Sequence, residues 1–253
     1  GLTDFMFNEN PNQSNRTRNW FAVNWNLYAL RLKHKVFENA DFSLQLFGLD
    51  ASRKALGYRS NRVSNPDTPG TVRDLIIGDF VNWGAEARFL QKHNFLGTNN
   101  AFLIGAKYYQ AKNTGLQGPG SSGNDADFSL ATDDYPLYAS QSNYEYPNLN
   151  LSLFGENIFR VSSTFSITPG FRYEKIRTQA EGYFRNIGLD LAGNVILDET
   201  VAENNIKDRD FLLLGVGLSY KLKNRIELYG NVSQNYRSVT FNDIRNVTPG
   251  QVI

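Results

Sequence analysis

Residues 125–134 read DADFSLATDD, four aspartates in ten positions inside a longer run, GPGSSGNDADFSLATDDYPLY. Asp125, Asp127, Asp133 and Asp134 have the oxygen chemistry of a calcium site. Their spacing is not that of a helix–loop–helix calcium loop, which needs a glycine at its sixth position and a glutamate at its twelfth. Imidazole chemistry rests on His34 and His93 alone. Each lies beside a short turn, with no nucleophile in a recognisable context. No glycine-rich phosphate loop follows a strand and opens a helix. Carboxylates are plentiful, but sequence cannot bring two of them to the separation a glycosidase needs. The reading is therefore not an enzyme, with no cofactor and no metal assigned. Two charge pairs stand out instead, Glu86 with Arg88 and Arg172 with Glu174, each two residues apart.

Spacing of two puts such pairs on one side of a strand, and strands dominate the pattern. In residues 81–89, Val81, Trp83, Ala85, Ala87 and Phe89 alternate with Asn82, Gly84, Glu86 and Arg88. The same period of two runs through 148–156, 165–174, 212–220 and 226–236, and more roughly through 101–112. Residues 18–34 alternate from Phe21 to Ala29 and change phase at Leu30. Residues 41–57 change phase between Leu46 and Phe47. A β-bulge at each point is the expectation. Pro169 falls inside FSITPGFRYEK (165–175), near a strand start, where a bulge or frayed ladder accommodates the missing donor.

That gives eight strands, with connections that alternate short and long. Residues 36–40, 91–100, 157–164 and 221–225 are short. The stretch up to Gly78, then 113–146 and 186–208, are long. In an up-and-down meander, alternate connections share an end. One end is thus trimmed and the other carries large loops, the asymmetry of transmembrane barrels. The length of 113–146 suggests a mobile lid. Several strands span more residues than the usual five or six. Local alternation alone fits a water-soluble sandwich equally well; loop asymmetry and strand length point to a membrane barrel.

Bulk properties agree. The 253 residues hold 26 Lys plus Arg and 25 Asp plus Glu, a net charge of +1, which gives no nucleic-acid surface. Aromatic residues reach 13% and cysteine is absent, so disulfides and thiolate metal sites are excluded in any compartment. Mean hydropathy is −0.43 and no apolar run is long enough for a transmembrane helix, a test barrel strands do not have to pass. No signal peptide is visible at GLTDFMFNEN.

LSLFGENIFRVSSTFSITPGFRYEKI (151–176) resembles the barrel motif of TonB-dependent outer-membrane receptors: an apolar strand ending in Glu-Asn, then a strand with Thr-Pro-Gly-x-Arg-Tyr-Glu. LYGNVSQNYRSVTFNDIR (228–245) is similar to a later barrel segment. RNWFAVNWNL (18–27) and VNWGAEARFL (81–90) resemble strands of the ferric dicitrate branch found in Bacteroidetes-type genomes. The resemblance implies an all-β, transmembrane, antiparallel up-and-down barrel in the Gram-negative outer membrane. Complete receptors add a signal peptide, a TonB-contacting box and a plug within 22 strands. The expectation is that 1–253 is part of such a barrel domain, with the plug elsewhere in a longer protein. The implied task is uptake of a ferric chelate, dicitrate or a siderophore, driven by the TonB–ExbB–ExbD system through the plug. A glycan importer, a passive porin and a soluble sandwich remain as alternatives.

The resemblance further implies that outer loops and lumen residues catch the ligand. Arginine suits an anionic chelate because its planar fork pairs with carboxylates. Arg16, Arg18, Arg59, Arg62, Arg73, Arg185 and Arg237 are expected at the outer end, with Gln13, Tyr58 and Gln234 adding hydrogen bonds. Arg18, Arg59, Arg62 and Arg73 cluster at the ends of consecutive strands. The alternative for each is a loop salt bridge, or a contact to lipopolysaccharide phosphate at the rim. For Glu86–Arg88 and Arg172–Glu174 the expectation is an ion-pair ladder between neighbouring strands of the lumen wall, and a ligand path or plug contact is the rival. Trp20, Phe21, Trp25, Tyr28, Tyr173, Tyr220 and Tyr229 are candidates for interfacial girdles, with ordinary packing the alternative, favoured for Tyr229, which is expected inward.

Overall fold

A computed structural model describes residues 2–60, 62, 64–95, 97–222 and 226–236. They form one eight-stranded sheet, each strand antiparallel to its neighbours in chain order. The strands are β1 (Trp20–Phe37), β2 (Ala40–Gly57), β3 (Asp74–Phe95), β4 (Thr98–Pro119), β5 (Gln141–Arg160), β6 (Phe165–Leu189), β7 (Val195–Leu222) and β8 (Ile226–Ser233). A six-residue helix, α1 (Asp4–Glu9), precedes them, its first turn capped by the Thr3 hydroxyl accepting from Met6 N at 3.3 Å. Strand alternation carries no signal for that helix; the N-cap threonine beside Asp4 is the one local cue. Among the described residues no helix is long and apolar enough to cross a membrane, which says nothing about strands.

Register fixes which residues share a face. Leu32, Leu44, Ala87, Ala106, Leu153, Tyr173 and Leu212 lie opposite one another from β1 to β7, an unbroken apolar row. One residue away on the opposite face runs Arg31, Gln45, Glu86, Lys107, Ser152 and Glu174. Soluble sheets bury such an apolar row under a second layer. Among the described residues no layer covers it: Leu32, Leu153 and Leu212 are all about half exposed. This is the band that faces hydrocarbon, and the polar face lines a lumen.

Three sequence expectations change. The phase shifts at Leu30 and at Leu46/Phe47 are not bulges. β1 and β2 pair without a break from Trp20↔Leu56 to Lys35↔Asp41, and the irregularity lies beside the turn, between Lys35 and Phe37. With continuous register, Tyr28, Leu30 and Leu32 face outward, while Phe21, Val23, Trp25 and Leu27 face the lumen. Phe21 and Trp25 are therefore not girdle residues. Tyr28, Tyr173 and Tyr220 do face outward, and Tyr229 faces inward. Next, 186–208 is not a loop. β6 and β7 continue to Leu189 and from Val195, joined by the turn at 190–194. They overshoot the band, so both faces meet water and apolar alternation fades. The remaining outer connections are 58–73 and 120–140, the latter shorter than expected because β4 and β5 extend into it. The expected frayed ladder, rather than a bulge, accommodates Pro169. It pairs with Val216 of β7, while the β5 ladder skips from Glu156↔Gly170 to Phe159↔Ile167. Both side-chain amide atoms of Asn157, across from it, lack partners.

Candidate outer cleft and lumen wall

The outer end is tied together by two arginines. Arg18 sits just before β1. Its Nε and Nη2 donate to Asp67 Oδ2 and Oδ1 at 3.0 and 2.5 Å. Its Nη1 donates to Ser122 O at 2.8 Å, and Nη2 to Thr68 O at 2.9 Å. Arg73, just before β3, donates from Nε to Ser121 O (2.9 Å), from Nη1 to Asp125 O (2.7 Å) and Arg18 O (3.1 Å), and from Nη2 to Ser121 Oγ (2.5 Å). Trp20 Nε1 adds a bond to Asn124 O at 2.8 Å. Arg18 is 3% and Arg73 0% exposed. Burial is tolerable because each guanidinium donor meets an acceptor. These side chains clasp the segment before β1 to both long loops. Their donors are engaged by protein acceptors, as in the loop-staple alternative for these two arginines. The clasp also anchors 120–140, against a freely mobile lid. Asp125 serves this clasp, and among the described residues no three acidic or histidine side chains converge on a metal position.

Beside the clasp is an open cleft of about 780 Å³ lined by Trp20, Phe21, Gly57, Tyr58, Arg59, Asp74, Ile76 and Gln117, with others. Phe21, Gly57, Asp74, Ile76 and Gln117 belong to the lumen face by register. Asp74 forms the floor, beyond the apolar band. Its Oδ1 accepts from Tyr138 Oη at 2.8 Å and its Oδ2 from Gln117 Nε2 at 2.9 Å. Arg59 Nη1 lies 3.6 Å from Oδ2. Burial pushes the Asp74 carboxyl above the usual range, against the pull of Tyr138, Gln117 and Arg59. Burial, together with Asp74, pushes the Tyr138 hydroxyl up. Tyr138 thus pins loop 120–140 to the cleft floor. Arg59 has one distant partner and a side chain 64% exposed, which leaves most of its fork open.

The other expected residues scatter. Arg62 is exposed, with no side-chain partner among the described residues. Arg16 donates to Asn65 O and Asn15 O at 2.6 and 2.7 Å and lies 5.1 Å from the Tyr58 ring centre, bracing that ring at the cleft's edge. Arg185 forms a two-pronged pair with Asp198 at 2.8 and 2.7 Å on the β6–β7 extension. Gln13 donates to Met6 O at 2.5 Å, and Gln234 bonds the backbone of Leu214. Arg237 lies outside the described residues. Arg88–Glu86 and Arg172–Glu174 pair along their own strands rather than between strands. Arg172 also donates to Ser152 Oγ at 3.1 Å. Both guanidinia flank the Phe154 ring, at 5.7 and 5.4 Å.

Sequence reading missed Arg53. It faces the lumen opposite Val23 and Gly78, exposed, with no hydrogen bond or ion pair among the described residues. Only register reveals which way it points.

An open-ended meander of long strands, banded for hydrocarbon outside and charged within, is a segment of an outer-membrane β-barrel. The family model "TonB dependent receptor-like, beta-barrel" matches residues 2–252, and the chain belongs to that family. The family places it in the Gram-negative outer membrane and comprises transport receptors rather than enzymes. Among solved structures it is similar to the ferric citrate transporter FecA in its unliganded form, with a TM-score of 0.71 at 16% identity, covering 96% of this chain and 32% of that one. It is also similar to the ferric-catecholate import receptor Fiu of E. coli K12 in its open form, with a TM-score of 0.61 at 10% identity, covering 85% of this chain and 36% of that one. At such identities the likeness is one of fold. The chain spans about a third of the length of these structures. No curated protein sequence matches it. Nothing among these neighbours supports a Bacteroidetes origin.

Proposed function

We propose that this chain supplies barrel wall and outer loops to a receptor that imports a ferric chelate, of the dicitrate or siderophore type, with energy from the TonB–ExbB–ExbD system acting through a plug. On this reading residues 1–253 are one part of the barrel domain. Arg59 is the first ligand contact, with Tyr58 beside it in the cleft and Arg62 further along the same connection, and rim arginines meet lipopolysaccharide. The carrying observation is the exposed Arg59 fork at the mouth of a lumen-side cleft, in a chain of this family. A guanidinium without a close carboxylate partner is suited to an incoming carboxylate or phenolate.

The test is titration of the full-length receptor, in detergent, with ferric citrate and other ferric chelates by tryptophan quenching. Arg59→Gln is expected to weaken binding about tenfold, about 1.4 kcal/mol, without lowering the melting temperature. Saturable binding that Arg59→Gln leaves untouched removes Arg59 from the site, and no binding to any ferric chelate removes the iron reading. Trp20, Phe21 and Tyr58 in the same cleft favour a second reading, glycan import, because aromatic faces also bind sugars. Saturation by a neutral oligosaccharide and not by chelates would establish it.

A further inference from the structure

Among the residues lining the outer cleft, Asp74 is the one acid. It is 6% exposed. Three groups from three different segments reach its carboxylate. Tyr138 Oη of loop 120–140 donates to Oδ1 at 2.8 Å, and Gln117 Nε2 of β4 donates to Oδ2 at 2.9 Å and to Oδ1 at 3.2 Å. Arg59 Nη1, from the connection 58–73, stands 3.6 Å from Oδ2, beyond hydrogen-bond distance. Two of the three are neutral, so Arg59 alone balances the charge. The cross-strand neighbours of Asp74, Gly57 on β2 and Pro119 on β4, carry none. Arg73, next to it in the chain, turns its guanidinium to Ser121, Asp125 and Arg18 in the clasp. Arg18 pairs with Asp67. A buried carboxylate deprived of its one cation is costly, and taking up a proton relieves it.

We propose that Asp74 and an incoming anionic chelate compete for Arg59, and that Asp74 takes up a proton when it loses, so that capture in the cleft is coupled to protonation of its floor. The Arg59 side chain is 64% exposed and that of Asp74 only 6%. The fork can therefore turn outward to a ligand, and the carboxylate cannot follow it into water. A ligand carboxylate gripped by both prongs is a stronger partner than one oxygen at 3.6 Å. Once Arg59 turns away, Asp74 keeps two neutral donors and faces a second anion across the cleft. Both changes favour the neutral carboxyl. Arg59 stays a guanidinium and the chelate stays an anion throughout; the proton that Asp74 binds comes from solvent. Tyr138 keeps its hydrogen bond, because the protonated group still offers a carbonyl oxygen. Burial already lifts the Asp74 carboxyl above its usual range in the empty cleft. Occupancy lifts it further. Affinity is therefore highest below the value in the empty cleft and declines as pH rises through the value in the occupied one. This rests on the chelate-import reading and adds a proton to the binding step at that site.

The test titrates the full-length receptor, in detergent, with ferric citrate at about pH 5 and about pH 8, as wild type and as Asp74→Asn. Taking the ratio of the two Kd values at each pH cancels the titration of the chelate itself. Asparagine cannot ionise, so it stands for the protonated floor. Asp74→Asn is expected to bind about tenfold more tightly than wild type at the higher pH and about equally at the lower. A lost ligand contact or a loosened loop would instead weaken binding at both, and that outcome overturns the proposal. A ratio that pH leaves unchanged also overturns it, while wild-type binding keeps the import reading standing. A folded wild type that does not bind ferric citrate overturns the coupling and the dicitrate reading together. An arm without ligand tests the pairing itself. In Arg59→Gln the infrared band of the protonated Asp74 carboxyl, identified by its loss in Asp74→Asn, is expected to persist to higher pH than in wild type. A band that titrates identically in both overturns the proposal whatever the chelate does, because Arg59 would then not be what keeps Asp74 ionised.

Discussion

Arg18 and Arg73 lie within a few residues of the strand ends that carry Arg59 and Arg53, yet the two pairs do opposite work. The first pair is buried, with acceptors at 2.5–3.1 Å around each guanidinium. The second pair faces the cleft and lumen with little or nothing to hold. Residue type does not decide which role an arginine takes; the acceptors that the loops bring do. Loop carbonyls at 68, 121, 122 and 125 converge where the connections 58–73 and 120–140 cross, and any guanidinium at that crossing becomes a staple. Six residues further down β2 from Arg59, the neighbours of Arg53 are glycine and apolar side chains, so its donors stay open.

The largest effect that separates the two roles is expected from Arg73→Met. Methionine fills similar space but donates nothing, leaving the carbonyls of Ser121, Asp125 and Arg18 without partners. A buried unsatisfied acceptor costs on the order of 1–3 kcal/mol. Hydrogen exchange in residues 120–140 of the full-length receptor should speed up by a factor of about a hundred, about 3 kcal/mol. Arg59→Gln should leave that exchange alone. Equal exchange in both variants would abolish the distinction between staple and contact.

Tyr138→Phe probes the seam between clasp and cleft and should have a smaller effect. It removes one hydrogen bond to Asp74 and costs about 1–2 kcal/mol of loop anchoring, read by the same exchange experiment. Its pH dependence has a definite sign. The Asp74 carboxyl is raised by burial, so the folded protein holds that proton more tightly than the unfolded chain. Anchoring is therefore strongest near and below the ordinary carboxylate value, about 4. It weakens as pH rises through the raised value, then levels off. Removing the Tyr138 bond, which favours the carboxylate, should extend that window upward. A loop whose exchange slows with rising pH across it would contradict the assignment of Asp74 as the anchor.

The sequence was most informative where water and hydrocarbon alternate. All eight strands, their order, and the outward faces of β3 to β8 follow from period two, because each apolar side chain there reports lipid. The signal failed wherever that contrast did. On the outer half of β1 the lumen wall itself is apolar, so Phe21 to Ala29 imitate a lipid face, and the true face emerges at Leu30. On residues 195–208 both faces are wetted, alternation vanishes, and a strand looks like a loop. Arginines at the outer end were legible as a group. Their division into buried staples and exposed guanidinia was not, because the acceptors that bury Arg18 lie about fifty and a hundred positions away in the chain. Arg53 was invisible for a related reason: a charged residue inside a strand acquires meaning only when its register is known.

The smallest effect belongs to the turn at 190–194, which satisfies itself and should ignore both clasp and cleft. Asp190 Oδ1 accepts from the backbone nitrogens of Ala192 and Asn194 at 2.9 and 2.8 Å, and its Oδ2 accepts from Asn194 Nδ2 at 2.9 Å. Gly193 supplies the left-handed backbone, φ +87°, that closes the turn. These bonds, the Asn194 side chain's first, hold the Asp190 carboxyl below its usual range. A depressed carboxylate contributes above its unfolded value and loses that contribution as pH falls through the folded one. The turn should therefore loosen only below about pH 4, seen as faster exchange at the amides of Ala192 and Asn194. Asp190→Ala should reproduce that loosening at neutral pH, with chelate binding and exchange in 120–140 both unchanged. If Asp190→Ala instead disturbed the 120–140 loop, the outer end would be one cooperative unit. The staples would then owe their stability to distant turns as much as to the carbonyls around them.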